Sequence, residues 1–193
     1  MKKKEWICRE LLERSMKGER ITQLSIAKVL GVSLSTVNNA INPLERIGAV
    51  EIGGMGLRVL DRGKALAFWG SIRNLERDII YRTRVEAPVS EIERLMPPEA
   101  IYTGYSAYKF RFKDVPADYG EVYVYVGSDD ELRDRFPEKE GPPNLMALKS
   151  DARLAELSAD RIAPSSQVYV DLWNMKEWYA KDFVKSLERR FGW

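Results

Sequence analysis

Histidine is absent from the 193 residues and cysteine occurs once, at position 8. No internal disulfide can form, and the usual zinc sites and every histidine-based catalytic triad are excluded. Cys8 itself reads as a small apolar core residue. Glutamine stands only at 23 and 167, while charged residues make up 31% of the chain, a bias that fits a protein of a hot-growing prokaryote. The longest apolar runs are strand-like, such as Val122-Tyr-Val-Tyr-Val126, far below the roughly 20 residues a membrane-spanning helix needs. Met1-Lys-Lys-Lys-Glu-Trp6 has no apolar signal-peptide core, so a soluble cytoplasmic protein without membrane contact is expected. Internal repeats and low-complexity segments are also missing.

The net charge of +2 conceals an asymmetry. Residues 1–78 hold 14 Lys/Arg against 9 Asp/Glu, and residues 79–193 hold 17 against 20. The front of the chain is the part a phosphate backbone attracts.

That front carries helical periodicity first. Trp6, Ile7, Leu11, Leu12 and Met16 share a face of a helix over 5–17 that ends at Gly18. Thr22 caps a second helix with Leu24, Ile26, Ala27 and Leu30 inward, and after the Gly31-Val32 turn Ser33 caps a third that starts at Leu34 and runs to about Ile47. Pro43 lies inside this third helix, where it removes a bond to Asn39, and is expected to bend or end it. Residues 49–52 and 57–60 read as two strands joined by Gly53-Gly54-Met55-Gly56, a hairpin without a basic residue at its tip. Asp61 caps a helix over 61–78 whose apolar stripe is Leu66, Trp69, Ile72, Leu75 and, at its end, Ile79, which leaves Arg62, Lys64, Arg73 and Arg77 exposed.

Beyond residue 78 short strands alternate with helices, which predicts a mixed α/β domain over 79–193. Strands are expected at 79–85, 100–103, 109–112, 122–126, 145–148 and 167–170, and helices at 89–96, 131–136 and 151–157. Asn174, with Glu177 three residues on, reads as the cap of a last helix whose apolar stripe includes Trp178, Phe183 and Phe191. The fold class is thus α+β: a helical domain with a hairpin over 1–60, a connecting helix over 61–78, and the mixed α/β domain.

The segment Thr22 to Ile41 has what two helices joined by a tight turn require: Ala27 where they touch, Gly31 in the turn, and Val32, Val37 and Ile41 to fix the second helix. With the hairpin behind it, this stretch resembles the winged helix-turn-helix domains of prokaryotic transcription regulators. The resemblance implies that the third helix enters the major groove of double-stranded DNA. Ser33, Ser35, Thr36, Asn38, Asn39 and Asn42 are its candidate contacts, amides and hydroxyls suited to base edges or phosphates. Lys28, Arg46 and Arg58 are candidates for phosphate, and Met1-Lys-Lys-Lys4 for a flexible arm.

The second half resembles, in Tyr102-Thr-Gly-Tyr-Ser-Ala-Tyr108, Val122–Val126 and Gln167-Val-Tyr-Val-Asp-Leu172, antitoxin-type AbiEi-like regulators with a degenerate nucleotidyltransferase-like domain. Gly127-Ser128-Asp129-Asp130 does not space its carboxylates as a working nucleotidyltransferase would, and reads better as a helix-capping turn. No catalytic residue, metal or cofactor is therefore expected. Thr103, Ser106, Tyr123, Tyr125 and Asp171 are the polar groups from which an effector pocket would be built. The expectation from sequence is a repressor that binds its operator as a homodimer, with a small molecule or partner protein as effector. An antitoxin-like or scaffold protein, and a divergent metal-dependent nucleotidyltransferase-like enzyme, stand as alternatives.

Overall fold

The computed structural model describes residues 1–193 and has an α+β architecture in two compact units, Met1–Arg73 with Leu187–Trp193, and Asn74–Ser186. No helix is long and apolar enough to cross a membrane.

In the first unit α1 (Lys3–Met16), α2 (Gln23–Leu30) and α3 (Leu34–Arg46) precede a hairpin of β1 (Val50–Gly53) and β2 (Gly56–Val59), and α4 (Arg62–Ile72) follows. The helical spacing of the apolar residues becomes a shared core: Ile7, Leu11 and Leu12 of α1, Ile26 of α2, Val37, Ile41 and Leu44 of α3, and Leu66 and Trp69 of α4 are almost completely buried. Each such side chain contributes about 1.5–3 kcal/mol by leaving water. Cys8 belongs to this core, and burial, with Glu5 nearby, pushes its thiol up to about 12. The hairpin is antiparallel, with Glu51 opposite Arg58 and Gly53 opposite Gly56, and it is anchored at its inner edge by the Leu57 N–H, which donates to the Ile21 carbonyl at 2.8 Å.

Two features of this unit differ from expectation. First, α3 continues through Pro43 to Arg46, so the proline neither ends the helix nor shortens its outer face. Second, the helix expected over 61–78 is two helices. Arg73 leaves helical geometry with ψ 137°, and Asn74 accepts from the Arg77 N–H to cap α5 (Leu75–Asp78). The reason is a buried ion pair: Arg73, expected to be exposed, is 4% exposed and donates to the Glu5 carboxylate at 3.0 Å. A guanidinium held inside the core cannot also stand on the outer face of a continuing helix. The boundary between units therefore falls after Arg73, and α4 is part of the first unit's core.

The second unit is built on a four-stranded sheet. Its elements after α5 are β3 (Ile79–Thr83), α6 (Val89–Arg94), β4 (Ile101–Thr103), α7 (Gly104–Phe112), β5 (Val122–Val126), α8 (Asp130–Arg135), β6 (Leu145–Lys149), α9 (Ala152–Leu157), α10 (Ser165–Trp173) and α11 (Ala180–Phe191), the last of which runs on into the residues grouped with the first unit. The strand order is β3-β6-β5-β4; β5 and β6 are parallel, joined by the crossover that contains α8, and the two outer pairs are antiparallel. All five residues of β5 are buried, as a strand covered on both faces requires.

Residues 109–112 are the end of helix α7, not a strand: Gly104, at φ +58°, turns the chain straight from β4 into a helix that buries Tyr105, Ala107 and Tyr108. Residues 167–170 are the heart of α10. Their β-branched and aromatic side chains favour a strand, but Val168, Tyr169, Val170 and Leu172 are buried all round, so tertiary burial overrides propensity. Gln167 also bonds Asp171 one turn on, at 3.1 Å, a contact that only a helix permits. Asn174 then closes α10, its amide donating to the Val170 carbonyl, and does not open the last helix, which starts at Ala180. Trp178 consequently lies outside the apolar stripe and is 74% exposed.

Candidate nucleic-acid interface

The outer face of α3 follows from its capping and its period. The Ser33 hydroxyl accepts the Thr36 N–H at 3.1 Å and contacts the Thr36 hydroxyl at 2.8 Å, which fixes the first turn. With Val37, Ala40, Ile41 and Leu44 inward, the 3.6-residue repeat turns Ser35, Asn38 and Asn39 to solvent and leaves Thr36 and Asn42 half-buried. At the start of α2, Thr22 and Ser25 cap one another through their hydroxyls and N–H groups, and Gly31 closes α2 in the left-handed region at φ +60°. Gln23, half-buried at the first position of α2, reaches across to the Asn38 side-chain oxygen at 3.4 Å and leaves the Asn38 amide group without a partner in the chain.

The cations divide into two kinds. Lys28 on α2 and Arg46 at the end of α3 are exposed and engage no carboxylate, so their charges are available to phosphate. Arg58 on β2 is 71% exposed but faces Glu51 across the hairpin at 2.9 Å, which offsets its charge on the wing. Lys2, Lys3 and Lys4 are exposed as well, though Lys3 and Lys4 form the first turn of α1 and are not a loose arm.

Two contributors escape a reading from sequence. Leu34, at the first position of α3, is 50% exposed beside Ser35, an apolar group on an otherwise polar surface. Its periodicity gives no sign of this, because a leucine at a helix start is ordinarily assigned to the core. Arg20, in the loop before α2, donates to the Met55 carbonyl at 3.2 Å and so puts a guanidinium at a hairpin tip that has no cation of its own. The two residues are 35 apart in the chain, and no local pattern joins them.

The residues proposed for an effector pocket separate into different settings. The Asp171 carboxylate accepts from the Thr103 hydroxyl at 2.7 Å, the Tyr125 hydroxyl at 2.7 Å and the Gln167 amide at 3.1 Å, and all four residues are fully buried. This cluster fastens α10 to β4 and β5, so these groups are spent on one another inside the core. Gln167 belongs to it as well, a residue that no local pattern singles out. Ser106 is fully buried on α7. Tyr123 lines a cavity. The Gly127-Ser-Asp-Asp130 turn is engaged with itself and its helix, the Ser128 hydroxyl donating to Asp130 at 2.6 Å and Arg133 to Asp129 at 2.6 Å. That ion pair holds the Asp129 carboxyl below its usual range.

Residues 9–51 match the family model for winged helix-turn-helix DNA-binding domains, a span that covers α2, α3, most of α1 and the beginning of the wing. Among curated proteins and among solved structures no match to the chain is found. A DNA-binding winged helix therefore occupies the N-terminal unit.

Proposed function

We propose that this chain is a sequence-specific transcription regulator that acts as a repressor on double-stranded DNA and binds as a dimer. The observation that carries the reading is the outer face of α3, where Ser35, Asn38 and Asn39 stand exposed next to Leu34 at the open end of a firmly capped helix. Asn can pair bidentately with adenine, hydroxyls contact bases or phosphates, and an exposed Leu suits a thymine methyl group. The charge of the first unit supports the same reading, since its residues hold 15 Lys/Arg against 8 Asp/Glu. Pairing through the second unit is favoured by Trp173 and Trp178, which are 46% and 74% exposed there. No reaction is assigned to the chain, whose Asp129 and Asp130 serve a turn.

Fluorescence anisotropy with genomic fragments tests this. A salt-sensitive signal is expected, with a preferred fragment emerging from competition. Asn38→Ala or Asn39→Ala is expected to shrink the gap between preferred and random DNA by about 1–3 kcal/mol, while Lys28→Ala weakens both alike. Binding that salt does not affect, or an Asn39→Ala protein with undiminished discrimination, would remove the basis of the proposal.

A further inference from the structure

The second unit contains a cavity of about 190 Å³ with Tyr123 on its wall, next to the turn that follows α10. Tyr123 is 93% buried, being 7% exposed, and its hydroxyl makes no hydrogen bond within the protein. The oxygen is not sealed in the core; it lies on the cavity wall, where a ligand can reach it. Its neighbours on β5 and β4 are all satisfied, Tyr125 and Thr103 by Asp171. Tyr123 is the exception and faces open space.

The charges around that space are arranged by sign. At the rim Arg82 and Lys176 both contact the Glu76 carboxylate, at 2.9 Å and 3.2 Å, so two cations meet one anion and one positive charge is left over. On the side of Tyr123 lies Glu177, whose carboxylate accepts only the neutral Tyr105 hydroxyl, at 3.0 Å. The cavity therefore has one unbalanced charge of each sign. Burial, and then the negative charges of Glu177, Glu121 and Glu76, push the Tyr123 hydroxyl well above the usual phenol range, so it remains a neutral phenol in a negative field. Met146, Met175 and Ile79 supply apolar wall between the two ends. A volume of this size admits a ligand as small as a free amino acid.

We infer that this cavity binds a small zwitterion of free amino-acid size, its ammonium between Glu177 and Tyr123 and its carboxylate at Lys176 and Arg82. Tyr123 supplies its oxygen as acceptor and its ring face to the cation. The site lies wholly within residues 75–177 and stands whether or not the first unit reads DNA.

Isothermal titration of the full chain with each free amino acid, its decarboxylated amine and its N-acetyl derivative decides the matter. One amino acid or a small chemical group of them is expected to bind one to one, with the matching amine and N-acetyl form at least tenfold weaker. Tyr123→Phe keeps the ring and removes a hydroxyl without a protein partner, so the variant folds; about a tenfold loss of affinity is expected, and a similar loss for Glu177→Gln, which still accepts from Tyr105. Melting curves of both variants equal to that of the parent confirm that the loss is local. No binding by any amino acid, amines that bind as tightly as their amino acids, or an unchanged affinity in Tyr123→Phe would each overturn the inference.

Discussion

At the scale of single residues, the tolerances of this protein are set by atoms far away in the chain. Gly56 has φ +125°, and a Cβ built on it would lie 2.2 Å from the Ile21 carbonyl oxygen, the acceptor that anchors the wing. Gly54, two residues earlier, has open space and ordinary φ. Gly56→Ala is therefore expected to lose on the order of 1–3 kcal/mol in urea denaturation, from backbone strain and displacement of the hairpin. Gly54→Ala should stay within about 0.5 kcal/mol of the parent. Equal midpoints for the two would mean that the wing is not held at Ile21. A glycine-rich turn was legible in the sequence, but its three glycines could not be ranked, because the obstructing carbonyl is 35 residues upstream. Arg73 and Glu5, 68 apart, illustrate the same limit: an arginine on a polar stripe reads as solvated until its buried partner is known.

At the scale of elements, helices and strands were legible where local pattern and burial agree. The cap at Thr22, the turn at Gly31 and the cap at Ser33 have local signatures, and so does the alternation of β5. The pattern failed at α7 and α10, both wrapped by apolar neighbours, where aromatic and β-branched content no longer distinguishes strand from helix. Pro43 is the reverse case, a breaker that the packing of Leu44, Ile41 and Val37 overrides. The proline still deprives the Asn39 carbonyl of its intrahelical donor. Pro43→Ala is thus expected to raise the stability of the chain by about 1–3 kcal/mol, the helix propensity gain less the unfolded-state entropy it restores. Circular dichroism melts check this, and a lowered melting temperature would show that the ring itself fills a needed space. Since Asn39 is a proposed base contact, the same variant also measures whether that free carbonyl matters for binding.

For the whole molecule the relevant division is electrostatic. The cut after residue 78 gave charges of +5 and −3; the compact units give +7 for Met1–Arg73 with Leu187–Trp193 and −5 for Asn74–Ser186. The structure sharpens the contrast because Arg189 and Arg190 join the first unit and Glu76 and Asp78 leave it. An acidic second unit is repelled by DNA, so the phosphate contacts should come from the first unit alone and remain countable. Lys28, Arg46 and Arg58, with Arg20 at the hairpin tip, are four such cations per copy. At about 0.9 per phosphate contact, log K against log salt should fall with a slope of roughly −3.6 for one copy and −7.2 for two. Titrations from roughly 50 to 200 mM salt, read beside light scattering of the complex, distinguish a dimer from a monomer on the operator. Glu51→Ala separates the role of Arg58 within that count. The exposed Glu51–Arg58 pair contributes at most about 1 kcal/mol to folding, so its loss leaves the wing intact. If Arg58 reaches phosphate, freeing it from Glu51 strengthens binding to all sequences and leaves the salt slope equal or steeper. If affinity does not change, the wing stands clear of the DNA and α2 and α3 carry the electrostatics by themselves.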